Sequence, residues 1–152
     1  MAMKMKTTVT LTVNAVCPSH SLAEVSTRDV VQNIDEPIER GGTNKGFTPT
    51  DTALSALAGC TNVIGHKCAN KLGIEIGHLE ISAKCQFNRL GVTLEQEIDV
   101  PFEVINLTVV SDGAATQVEL NQVAVEVAKY CPLAKLFRQS GTIINEDWHK
   151  AG

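Results

Sequence analysis

From residue 52 to residue 65 the chain carries no charged side chain. That run lies inside residues 48–73 (TPTDTALSALAGCTNVIGHKCANKLG), which bear the signals of one long helix. Thr48 suits the N-cap, Pro49 the first helical position, and Asp51 the place of a capping-box carboxylate. Gly73 is placed to end the helix in a left-handed turn. Two dozen residues at 1.5 Å each make a rod of about 36 Å. A surface helix shows a polar stripe, so an uncharged one is predicted to be covered on most sides. The run is too short, and too rich in Ser, Thr, Asn and Gly, to cross a bilayer. The rest of the chain is expected to pack around this helix.

Cys60 stands near the middle of it. At 100° per residue, Ala53, Ala56, Cys60, Val63 and Lys67 share a face. Small neighbours leave a shallow hollow over the thiol, although a free cysteine on a helix is also an ordinary small core residue. The chain has five cysteines, an odd and widely spaced set without a C-x-x-C pair. That is a poor disulfide framework. The start, MAMKMKTTVTLTV, has no apolar signal core and reads directly into a strand, so no signal peptide is expected and the cytoplasm is the predicted location.

At 152 residues a single domain is expected, and 43% hydrophobic residues suffice for a core. A formal charge of −4 without a basic cluster argues against nucleic acid as a partner. No tract is long enough to span a membrane.

Residues 7–16 alternate polar and apolar, a half-buried strand. After a turn at 17–20, residues 22–33 read as the returning strand of an antiparallel hairpin. Cys17 and His20 in that turn resemble half of a zinc site, but no second pair lies at ligand spacing and no metal is expected. Residues 35–47, with Pro37 and three glycines, form a loop carrying Arg40. A strand over 74–87 with a bulge near Gly77, a hairpin turn at 88–91 and a long strand over 92–110 follow. A turn at 111–113 leads to an amphipathic helix that starts at Thr116 or Gln117 and ends at Tyr130. Pro132 cannot continue that helix but can begin the next, which runs to Gln139. Cys131 then stands at a helix start, where unpaired N–H groups favour a thiolate. Residues 142–148 make a last strand.

Two such thiols suggest peroxide chemistry. An ionised thiol attacks a peroxide oxygen and becomes a sulfenic acid, and a second thiol condenses with it to a disulfide. A nearby cation would lower the pKa of the first thiol. Cys60, Arg40 and Cys131 are one candidate set for these roles.

The layout resembles the osmotically inducible protein C and organic hydroperoxide resistance (OsmC/Ohr) family. The motifs that carry the resemblance are Ala56-Leu57-Ala58-Gly59-Cys60-Thr61 and Tyr130-Cys131-Pro132-Leu133, in order and about seventy residues apart within hairpin, loop, long helix, hairpin, helix. The resemblance implies an α+β fold with antiparallel hairpins on a long central helix, in an intertwined homodimer with two sites at the interface. It implies Cys60 as the peroxidatic thiol, Cys131 as the resolving one, and Arg40, at the family's offset of twenty residues, as the catalytic arginine. Arg28, on the preceding strand, is the fallback. The peroxidases of the family carry a glutamate ten residues before the cysteine that clamps the arginine. Here that position is Thr50, and Asp51, the next residue, is shorter and turned about 100° around the helix. Asp51 is therefore expected to cap the helix, and the sequence looks closer to the less characterised OsmC-like branch.

The leading expectation is a thiol-dependent reductase of small organic hydroperoxides. It needs no metal or organic cofactor and is served by a dithiol reductant, which the family suggests is a lipoylated protein. The alternative is a binding or redox-sensing dimer without turnover, which the missing glutamate favours. A structural dimer with inert cysteines is the third reading.

Overall fold

The computed structural model describes residues 5–152. Residues 1–4, on which part of the signal-peptide reading falls, lie outside the described residues. The chain forms two compact units, residues 1–52 and 53–152. Among the described residues, two three-stranded sheets and three α-helices make it an α+β protein.

The N-terminal unit holds β1 (Asn14–Val16), β2 (Ala23–Thr27) and β3 (Val30–Ile34), antiparallel in that order. The expected hairpin is present, but the strand read over 7–16 is laddered only from Asn14, which pairs with Ser26. The strand read over 22–33 is itself a hairpin, turning at Arg28 and Asp29 between the paired Thr27 and Val30. Arg28 adopts φ 52°, so it sits at a turn and not on a strand. Thr27 before the turn and Val30 and Val31 after it are β-branched, and that masked the turn in the sequence pattern.

Buried Asp35 organises the loop that follows. Its carboxylate accepts from the backbone N–H groups of Glu36 (2.8 Å), Thr43 (3.2 Å) and Lys45 (3.1 Å) and from the Thr43 hydroxyl. The Thr43 bond, with the backbone donors and Ser21, holds the carboxyl well below the usual carboxylate range against the opposing effect of burial. A short 3-10 helix, Ile38–Arg40, lies inside the loop. A Cβ on Gly42 would come within 1.9 Å of the Glu36 carbonyl oxygen, so only glycine fits there.

The helix α1 (Pro49–Leu72) begins and ends as the sequence predicts. The Thr48 hydroxyl accepts from the Asp51 N–H at 3.0 Å. At the other end Gly73 (φ 71°) donates to Asn70 and Ile74 donates to Ala69, a paired closure that satisfies two carbonyls of the last turn.

In the C-terminal unit α1 buries one stripe, Leu57, Thr61, Gly65, Cys68 and Ala69. The expected cover on most sides is not supplied by this chain, because Ala56, Gly59 and Val63 stay exposed. The sheet runs β4 (Leu79–Phe87), β5 (Phe102–Ser111), β6 (Ile143–Lys150). Strand β4 starts at Leu79 and not at Ile74, because Gly77 (φ 61°) turns the chain, and a Cβ there would strike Asp112. The tight hairpin expected at 88–91 is instead a long connection, with β5 beginning only after Pro101. Residues 90–96 close local turns there, with Leu94 at φ 62°. Between β5 and β6 lie α2 (Gln117–Tyr130) and α3 (Pro132–Gln139). Thr116 and Glu119 cap α2 reciprocally. Strand β6 is parallel to β5, with Val104 opposite Ile143. Leu57, Ile105, Leu107, Val109, Leu120 and Val127 form the centre of the core, each at most 2% exposed.

Candidate functional site

Cys60 is half-buried on α1, one turn from Leu57, which is fully buried. The Thr61 hydroxyl donates back to the Leu57 carbonyl at 2.8 Å, so the polar neighbour of Cys60 is satisfied within the helix.

Cys131 is the single residue between α2 and α3 (φ −67°, ψ 111°). Its N–H donates to Val127 at 2.8 Å, completing α2, and its carbonyl accepts from Lys135 at 3.0 Å, opening α3. Pro132 at the first position of α3 costs no hydrogen bond. Held from both sides, the Cys131 thiol points at Cys60, and the two sulfurs are 3.4 Å apart with Cys131 donating. The sequence named both residues; the structure brings them together across 71 positions.

The electrostatics of Cys131 differ from expectation. Backbone N–H groups of Ala134 and Leu133 do favour its thiolate, as a helix start predicts. Burial outweighs them, and together with the contact to Cys60 it pushes the Cys131 thiol up to about 11. Cys131 therefore keeps its proton near neutrality and offers it to the Cys60 sulfur. The more accessible sulfur is the acceptor, and the sheltered one is the donor. An oxidant that removes two electrons, with the two thiol protons, can join such a pair as a disulfide, the sulfurs closing by roughly 1.4 Å.

The remaining candidates lie in the N-terminal unit. Arg40 is exposed at the end of the 3-10 helix, with its Nε 3.5 Å from the Glu36 carboxylate. Glu36 is the carboxylate partner of Arg40, which the sequence reading missed; the (i, i+4) spacing was its signal. Thr50 shares a 3.1 Å hydrogen bond with the Thr48 hydroxyl. The Asp51 backbone N–H donates to the Thr48 hydroxyl, a bond that any residue at this position can make and that does not involve the Asp51 carboxylate. Elsewhere, Cys17 is exposed and His20 is hydrogen-bonded to the Gly41 carbonyl at 3.1 Å. Burial pushes both the Cys68 and Cys85 thiols up.

The described residues contain no helix long and apolar enough to cross a membrane. No curated protein matches the sequence. Among solved structures, the OsmC-like protein from Mycoplasma pneumoniae is similar with a TM-score of 0.78 at 21% identity, over 95% of this chain and 99% of that one. The organic hydroperoxide resistance protein OsmC from Legionella pneumophila is similar with a TM-score of 0.66 at 14% identity, over 97% of this chain and 100% of that one. The organic hydroperoxide resistance protein OhrB of Bacillus subtilis gives 0.65 at 17% identity, over 92% and 98%. These likenesses establish the fold. The family model described as OsmC-like protein matches residues 42–146, a span that includes both Cys60 and Cys131. The chain belongs to the OsmC-like protein family.

Proposed function

We propose that this protein is a thiol-dependent peroxidase that reduces small organic hydroperoxides to alcohols. The observation that carries the reading is the 3.4 Å contact between half-buried Cys60 and the buried, protonated Cys131 at the start of α3. The hydroperoxide resistance named for the relatives from Legionella pneumophila and Bacillus subtilis points the same way.

In this mechanism the Cys60 thiolate attacks the terminal oxygen of the hydroperoxide. An S–O bond forms, the O–O bond breaks, and the alkoxide leaves as alcohol after taking a proton. The sulfur is then a sulfenic acid. Cys131 attacks that sulfur and releases its own proton, while hydroxide departs as water, leaving a Cys60–Cys131 disulfide. A dithiol reductant, such as a lipoylated protein, returns both thiols. Arg40 is assigned the cationic role on family resemblance. Its carboxylate partner here is Glu36, with Thr50 at the position of the family's glutamate.

The reading includes a single OsmC-like domain, a cytoplasmic location and an intertwined homodimer. The dimer is supported by apolar surface that one chain leaves open, including Val63 on α1 and the alternating Val9, Leu11 and Val13. The test is a steady-state assay with cumene hydroperoxide and dihydrolipoamide, alongside a thiol titration. Catalytic loss of hydroperoxide is expected. Oxidation of two thiols per chain without turnover would replace the enzyme with a redox sensor, and no thiol loss would leave only a structural role.

A further inference from the structure

Strand β6 aligns Ile144, Glu146 and Trp148 on the core side, opposite Ile105, Leu107 and Val109 of β5. A carboxylate in that row costs stability unless its charge is met. Glu146, with 13% of its side chain exposed, is met on both oxygens. Arg138 of α3 donates to Oε2 at 3.0 Å, and the Trp148 indole N–H donates to Oε1 at 3.2 Å. The Trp148 ring lies against Gly65 of α1, where an added Cβ would stand 3.2 Å from ring carbon Cη2. Gly65 follows Cys60 by five residues, about 7.5 Å along the helix axis, and Arg138 follows Cys131 by seven, about 10 Å. The helix that carries Cys60 and the helix that Cys131 opens are thus joined a second time, away from the sulfurs. At the same end of α3, Phe137 sits edge-on to Phe102 at 5.3 Å. That contact is apolar and non-directional, whereas the Arg138–Glu146 bond fixes a direction.

We propose that Arg138 and Glu146 are positioning residues for the Cys60–Cys131 pair: their ion pair, braced by Trp148 on Gly65, holds α3 where the two sulfurs meet at 3.4 Å. Neither residue reaches a sulfur; both act through α3, which is only eight residues long. Thiols already held in contact have little freedom left to lose, so joining them as a disulfide costs little further ordering. Freeing the far end of α3 returns that freedom to the dithiol form and disfavours the disulfide. This equilibrium needs no peroxide. Its kinetic counterpart, slower capture of a Cys60 sulfenic acid by Cys131, rests on the peroxidase reading above.

The reduction potential of the pair is read by equilibrating the full chain with reduced and oxidised dithiothreitol. The cyclic disulfide takes two electrons and two protons from the thiols, and alkylation with mass spectrometry quantifies the Cys60–Cys131 disulfide. Arg138→Gln and Glu146→Gln should each weaken that disulfide about three- to tenfold, raising the potential by about 15 to 30 mV. The double variant should shift no further than either single one, because both remove the same interaction. Arg138→Lys, which keeps the charge, should recover part of the shift. Urea unfolding of the reduced proteins reports stability separately. A stability loss with unchanged potential, or shifts that add in the double variant, overturns the proposal. Gly65→Ala works from the other end and keeps the ion pair: alanine favours the helix, but its methyl displaces the Trp148 ring. The potential should rise there too, and an unchanged value overturns the brace. With one equivalent of cumene hydroperoxide, a dimedone-trapped Cys60 sulfenic acid should persist about three- to tenfold longer in Arg138→Gln. If no sulfenic acid forms in any of the proteins while the potentials shift as expected, the peroxidase reading fails and the brace stands. If it forms and decays in the variants at the wild-type rate, the positioning role falls.

Discussion

The burial of Cys131 has a measurable thermodynamic signature. In the folded chain its thiol is pushed from 9.0 to about 11, whereas in the unfolded chain it has its ordinary value. Between those values the native state holds a proton that the unfolded state has lost. The associated stability is complete below about pH 8.5 and is lost as pH rises through 11. Two units correspond to roughly 2 to 3 kcal/mol of unfolding free energy. Cys131→Ala removes the titrating group at a cost of about 1 kcal/mol at neutral pH, the order expected for a small buried truncation. Urea unfolding followed by Trp148, the one tryptophan and 3% exposed, should be run at pH 7.5 and pH 11 with a non-thiol reductant. The wild type should lose roughly 2 to 3 kcal/mol more than Cys131→Ala between the two pH values. Cys68 and Cys85, also pushed up by burial, titrate in both proteins and cancel in the difference. Equal losses in the two proteins would refute a buried, protonated Cys131, and with it the assignment of donor and acceptor sulfurs.

Cys60→Ser should abolish peroxide turnover, and Cys131→Ser should carry a Cys60 sulfenic acid after one equivalent of peroxide and advance to the sulfinic acid with excess peroxide, read by mass spectrometry; a first sulfenic acid on Cys131 at the wild-type rate in Cys60→Ser reverses the roles. Arg40→Ala should slow peroxide reduction about tenfold or more, and Thr50→Glu should speed it; if both are silent in stopped-flow assays, Arg40 has no part in the chemistry. Asp35→Asn should loosen the loop through residues 43–45, seen as faster amide exchange at Thr43 and Lys45. Because the Asp35 carboxyl is held low in the fold, the wild-type loop should be protected above about pH 4 and lose protection as pH falls below it, an acid dependence the Asn variant should lack.

Helices were legible from the sequence because their ends are local chemistry. Thr48, Pro49 and Gly73 bound α1, and Thr116 and Pro132 mark the starts of α2 and α3, each through bonds within a few residues. Strand limits were less legible because pairing is not local. Residues 7–13 alternate as a strand should, yet the ladder starts at Asn14. The 88–101 connection looked like a tight turn and a strand, because Val92, Leu94 and Ile98 mimic one. The thiol pair was nameable, but its geometry was not. A helix start alone argues for an acidic Cys131, and only the packing around it shows that burial wins. Glu36 escaped notice because it sits in a loop, where (i, i+4) spacing signifies little until the loop is seen to contain a helical turn.

The parallel pairing of β5 with β6 bears on how the chain reaches its working form. Adjacent parallel strands cannot be joined by a tight turn, so β5 must travel through α2, Cys131 and α3 before β6 can dock. Cys131 thus rides on the crossover, and its partner lies 71 residues earlier, on a helix that precedes the crossover in the chain. Contacts of such sequence separation form late, after the entropy of closing the long loop has been met. A chain caught by oxidant before that closure presents five scattered thiols, and only the finished crossover gives Cys60 its neighbour.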